Sequence, residues 1–208
     1  DRDYDNPRGT FALYAREIIP PGGEDLPALL YLQGGPGFPA PRPVKPTGII
    51  GKALERYRVI LLDQRGTGRS HRIDRLSPAE ERSAEHLALL RQDNIVRDAE
   101  RLREHLGLET WSLFGQSFGG FCITAYLSQA PESVKHAFFT GGIPTLQGAD
   151  HLYRATFSKL KTRQERFYRE FPWVQHRIEE IIAHLDNSDE RLHTGAVSYT
   201  HLRAHETK

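Results

Sequence analysis

The stretch Gly115-Gln116-Ser117-Phe118-Gly119 constrains this 208-residue chain more than any other part of it. An apolar run, TWSLFG (110–115), leads into it, and a helical pattern carrying Phe121, Ala125 and Leu127 leads out and stops before Pro131. A serine set between two such runs sits on a sharp strand-to-helix turn. Its backbone takes a strained conformation, and the residues two places to either side must be small or their side chains strike the flanking strand and helix. The helix that starts at the serine aims free N–H groups and the positive end of its dipole at whatever the serine attacks. A glycine-rich turn with a solvated serine would share the five-residue pattern, but not the strand before it and the amphipathic helix after it. The stretch reads as a nucleophile elbow with Ser117 as its nucleophile.

The neighbouring segments predict the scaffold such an elbow needs. ALLYLQ (28–33) and YRVILLD (57–63) are short, nearly continuous apolar runs, the mark of strands buried on both faces of a parallel sheet. Each ends in a glycine-rich turn, GGPGF and QRGTGRS. FALYAREII (11–19) alternates as a half-buried strand with a turn at 20–27, and KHAFFTGG (135–142) supplies another strand. Ser77-Pro78 predicts a capped helix start. A second helix from about Asp93 has Ile95, Ala99, Leu102 and Leu106 on one face and Gly107 closing it. Strands alternating with helices predict an α/β fold with a doubly wound, mostly parallel sheet over residues 1–144. From His151 to Leu185 the pattern is helical, charged and aromatic, so residues 145–196 read as a partial helical cap inserted after a sheet strand; an independent helical domain is the alternative.

Acyl transfer through a serine needs two N–H donors for the oxyanion. One belongs to the residue after the nucleophile, Phe118. LQGGPGF (32–38), just past an earlier strand, offers the other, and the Gly35 N–H is the expected donor, with Gly34 and Gly35 lining the substrate. Asp63 and Arg65 are expected to pin the neighbouring turn through an ion pair and backbone bonds, with substrate contact as the other reading. Cys122 reads as a small buried hydrophobe, and Trp111 and Trp173 as core and cap residues.

LQGGPGF, DQRGTGRS, GQSFGGF and GGIP, in this order and spacing, resemble the proline iminopeptidase (prolyl aminopeptidase) group of alpha/beta-hydrolase serine peptidases. The resemblance runs from about residue 5 to about residue 190. It departs from the group at Gln33, which stands where the usual His-Gly-Gly-Pro-Gly has histidine; the backbone donors survive that change. The resemblance implies release of an N-terminal residue, typically proline, from a small peptide with a free N-terminus, through an acyl-enzyme on Ser117. No cofactor or metal is implied. An esterase and a non-catalytic hydrolase-like binding module remain alternatives.

Charge and composition exclude other classes. A formal net charge of +1 gives no field to recruit nucleic acid or an anionic membrane, and no apolar run approaches the ~20 residues of a membrane span. The single cysteine fits a reducing, cytoplasmic setting.

The elbow's histidine is the piece that does not fall into place. In this fold the order is serine, acid, histidine, with the last two on loops after later strands. His136 begins a strand, His151, His176 and His184 lie in the helical region, and His193, His201 and His205 have no further strand before them. VSYTHLRAHET (197–207) matches one reading frame of a transposase-type sequencing adapter, so residues 197–208 are expected to be non-native. On that expectation the catalytic acid and histidine, and the last strands of the sheet, lie beyond the chain, and the fragment is inactive.

Overall fold

The computed structural model describes residues 2–7, 9–145 and 147–188, and divides them into two compact units, one ending at Pro144 and one beginning at Thr145. The first unit runs β1 (Ala15–Ile18), β2 (Ala28–Leu32), α1 (Gly48–Ala53), β3 (Arg58–Leu62), α2 (Ala84–Ala88), α3 (Gln92–His105), β4 (Trp111–Gln116), α4 (Phe118–Gln129), a 3-10 turn (Pro131–Ser133) and β5 (Val134–Thr140). The second contains α5 (Ala149–Glu170) and α6 (Pro172–Asp186).

The five strands form one sheet in the order β1-β3-β2-β4-β5. β1 runs antiparallel to β3; every other pairing is parallel. Continuous apolar runs become the inner strands because alternate side chains feed two separate cores. Leu30 and Leu32 join Ile60, Leu62, Leu113 and the inner faces of α3 and α4, while Leu29 and Tyr31 join Val59, Leu61, Phe114 and Ile50 of α1. Every residue of β2 is buried. Trp111 anchors the first core at 1% exposure, its indole donating to the Tyr126 hydroxyl at 3.1 Å.

Chain direction across the sheet reverses beside β2. β3 adds on one side of β2 and β4 on the other, so the loops leaving the carboxyl ends of β2 and β4 diverge and open a crevice between them. Leu32 pairs with Gly115, which puts the two loop origins side by side.

Local elements differ from the sequence reading in several places, among them β5, which ends at Thr140 rather than 142, and α1, which the pattern did not announce. The strand expected over 11–19 shortens to Ala15–Ile18. Ser77-Pro78 does not open a helix: the Ser77 hydroxyl accepts from the Asp74 N–H at 3.0 Å, so the capping side chain closes a turn behind it. The helix starts later, at Ala84, with Ser83 accepting from the His86 N–H as its cap. In the second unit the helical pattern breaks at Phe171, and Pro172 begins α6, because proline is tolerated in a first turn but not inside a helix. Trp173 is 69% exposed. Residues 197–208 lie outside the described residues.

Candidate active site

Ser117 stands between the last residue of β4 and the first of α4, with φ 52° and ψ −116°. Few L residues tolerate such angles, and only dense surroundings hold one there. The surroundings are backbone. The Ser117 N–H donates to the Thr140 carbonyl at the end of β5 at 3.1 Å, and its carbonyl accepts from the Gly120 N–H at 2.8 Å. The loop leaving β2 presses from the other side: a Cβ on Gly34 would stand 2.7 Å from the Gln116 carbonyl oxygen and 3.0 Å from the Ser117 Cβ. Only glycine fits such a gap. Gly34 is therefore packed directly against Ser117, with Gly35 (φ 121°, followed by a cis peptide to Pro36) next along the loop and Phe118 opening α4.

The β2 loop is tied down by side chains. Gln64 donates to the Gln33 carbonyl at 3.0 Å, and Tyr31 donates to the Gln116 side-chain carbonyl at 2.7 Å. Burial pushes the Tyr31 hydroxyl above its ordinary range, keeping it a donor. Asp63, with no exposed surface, accepts from the Ala40 and Arg69 N–H groups at 2.9 Å each and pairs with Arg42. The expected ion pair within the 63–65 turn thus resolves into two separate ones. Asp63 takes Arg42; Arg65 takes Asp98 of α3, through two bonds of 2.7 Å. Neither Arg42 nor Asp98 was singled out by the sequence reading. Asp98 carried a signal, being a carboxylate on the same helix face as Ile95, Ala99 and Leu102.

A cleft of about 780 Å³ opens beside this cluster within the first unit. Pro36 and Gly37 form one wall, Gln64 and Thr67 the floor of the neighbouring turn, and Phe118 and Gln129 of α4 another wall. Cys122, one turn into α4, is fully buried, and burial pushes its thiol up to about 12, so it is a packing residue and not a second nucleophile.

Among the described residues of the first unit the Ser117 hydroxyl has no hydrogen-bond partner, and neither His71 nor His136 bonds to it. His71 pairs with Glu81 at 2.8 Å, His136 lies 3.4 Å from the Ser112 hydroxyl, and His176 pairs with Glu180 at 3.3 Å. His193, His201 and His205 fall outside the described residues. No helix among the described residues is long and apolar enough to cross a membrane.

Residues 27–183 match the family described as the alpha/beta hydrolase fold. The chain belongs to the alpha/beta-hydrolase family. Within this family its sequence is similar to proline iminopeptidases, as the motifs imply. It is 46% identical over 179 residues to the proline iminopeptidase of Aeromonas sobria, covering 83% of this chain and 42% of that protein. It is 35% identical over 204 residues to one from Aspergillus aculeatus, covering 91% and 46%, and 33% identical over 120 residues to one from Neisseria gonorrhoeae, covering 58% and 34%. This alpha/beta hydrolase spans less than half the length of those curated relatives.

Proposed function

We propose that the chain carries the nucleophile and oxyanion hole of a serine aminopeptidase that releases an N-terminal residue, proline by preference, from a small peptide with a free N-terminus. The observation that carries this reading is Ser117 at φ 52° on the β4–α4 junction, packed against Gly34 of the loop after β2. In the proposed mechanism the Ser117 hydroxyl oxygen attacks the scissile carbonyl as a base removes its proton. The carbonyl oxygen gains the negative charge, and the Gly35 and Phe118 N–H groups receive it. The C–N bond then breaks, the leaving amine takes a proton, and water hydrolyses the acyl-enzyme to free Ser117. Gly34 and Gly35 line the substrate, and residues 145–196, containing α5 and α6, serve as a helical cap. The base and its carboxylate are assigned to none of the described residues. The 208-residue chain by itself is accordingly expected to turn over little, since loss of the triad histidine costs on the order of a millionfold in kcat.

The test uses the full product of the gene with proline p-nitroanilide and p-nitrophenyl acetate. Hydrolysis of the anilide that Ser117→Ala abolishes is the expected result. Cleavage of the ester without the anilide would replace the peptidase with an esterase. A folded protein that cleaves neither would make the chain a binding module.

A further inference from the structure

The elbow has a third wall that its own motif does not contain. Gly141 and Gly142 follow β5 at φ 77° and 73°, two consecutive residues in the left-handed region. A Cβ on Gly142 would stand 1.7 Å from the Ser117 carbonyl oxygen and 2.6 Å from its carbonyl carbon. A Cβ on Gly120 would stand 2.6 Å from the carbonyl oxygens of both Gly141 and Gly142. The turn after β5 is therefore pressed bare backbone to bare backbone onto the start of α4. Thr140, just before it, accepts the Ser117 N–H at 3.1 Å.

The atom that Gly142 touches matters more than the closeness. The Ser117 carbonyl and the Phe118 N–H belong to one planar peptide unit, so fixing the oxygen fixes the direction of the N–H on the opposite edge. We propose that Gly142 is a positioning residue: by packing on the Ser117 carbonyl oxygen it sets the plane of the 117–118 peptide and so aims the Phe118 N–H at the oxyanion site. The catalytic half of this inference rests on the reading of Ser117 as a nucleophile; the geometric half does not. The Ser117 ψ of −116° and the Gly120 N–H, which donates to the same carbonyl at 2.8 Å, already orient that plane, and the Gly142 contact closes on the oxygen from the β5 side. The contact from β5 restricts what remains of the pivot about the Ser117 Cα–C and Phe118 N–Cα bonds.

Gly141→Ala and Gly142→Ala separate this role from ordinary backbone strain. Both positions need a positive φ, so alanine is strained at both. A Cβ on Gly141 meets nothing within 4 Å, whereas one on Gly142 collides with Ser117. On the 208-residue chain, residual dipolar couplings read the direction of the Phe118 N–H without any substrate. The expected result is similar loss of thermal stability in both variants and reorientation of the Phe118 N–H in Gly142→Ala alone. An unchanged Phe118 coupling in Gly142→Ala, or an equal change in Gly141→Ala, would overturn the proposal. If Gly142→Ala does not fold, Gly120→Ala pushes the same turn away from the helix side without a backbone penalty, and the same Phe118 reorientation is expected; its absence also overturns the proposal. On the full gene product, where the wild type hydrolyses proline p-nitroanilide, Gly142→Ala should lower kcat about a hundredfold or more with KM nearly unchanged, because an oxyanion donor acts in the transition state. A rise in KM with kcat intact would count against it. A wild type that hydrolyses nothing refutes the peptidase reading and leaves the dipolar couplings to decide the geometry.

Discussion

Asp98→Ala should be among the most damaging single changes outside the apolar core. The Arg65 and Asp98 side chains are 2% and 4% exposed and meet through two bonds of 2.7 Å. The Arg65 guanidinium also donates to the Arg2 and Leu89 carbonyls at 3.0 and 2.9 Å, and the Tyr4 and Phe11 rings lie 5.5 and 5.2 Å from it. Alanine removes the counter-charge and leaves a guanidinium that water cannot reach. Breaking a buried pair in this way costs about 3–5 kcal/mol, against a total stability of roughly 5–15 kcal/mol for a domain. At about 2–4 °C per kcal/mol for a chain of this size, the midpoint of thermal unfolding should fall by roughly 6–20 °C. The loss should persist in 1 M salt, because a buried pair is screened far less than a surface one. Removing both charges with Arg65→Met/Asp98→Leu should recover most of it, since a well-packed apolar pair of similar volume is often neutral or better. Urea titrations of the two single variants and the double variant close the cycle. A loss under ~1 kcal/mol, or one that vanishes in 1 M salt, would place the pair with ordinary surface ion pairs and refute the reasoning.

Ser117→Gly should be more stable than Ser117→Ala by about 1 kcal/mol, because glycine alone relieves the strained backbone; equal urea midpoints would show that Ser117 is not strained. Burial pushes the Glu100 carboxyl up, but hydrogen bonds from Arg103, Tyr126 and Ser133 more than offset it and leave it below its ordinary value of 4.5. A depressed carboxylate contributes stability above its unfolded value, and that contribution is lost as pH falls from about 4.5 through the lower folded value. Glu100→Gln should therefore flatten the acid limb of stability against pH, and an unchanged slope in urea melts from pH 6 to 3 would contradict it. Cys122, fully buried and with its thiol pushed up to about 12, should resist thiol reagents at pH 8 until the fold opens; fast labelling under native conditions would mean that α4 lifts from the sheet.

The sheet was legible because its strands are buried on both faces. ALLYL, RVILL and WSLFGQ need no alternation to be recognised, and a glycine turn closes each run. The place of Ser117 on a strand-to-helix turn was legible for a local reason too, since the clearance such a turn needs is met by glycines two places away. Signals that serve more than one structure are less decisive. Ser77-Pro78 carries the chemistry of a helix start, yet the same hydroxyl caps the turn behind it. α1 is six residues long and begins at a glycine, too short for a period to emerge. The ion pairs of Asp63 and Arg65 had to await the fold, because Arg42 and Asp98 lie on separate segments that only the packed sheet brings to them. The role of the Gly141–Gly142 turn was hidden for the same reason: its contact with Ser117 crosses between adjacent strands and leaves no spacing in the sequence.

The reversal of strand order beside β2 also sets a timetable. The constraints on Ser117 come from the loop after β2, from Thr140 at the end of β5 and from Gly142 beyond it, three places that meet only when β2, β4 and β5 are all side by side. Until then nothing compels the serine into angles that it avoids on its own, so the turn at Ser117 is expected to form late in assembly. A residue recruited that late leaves its mark on only one of the two rates. Relieving its strain should slow the opening of the fold and leave the speed of its formation where it was.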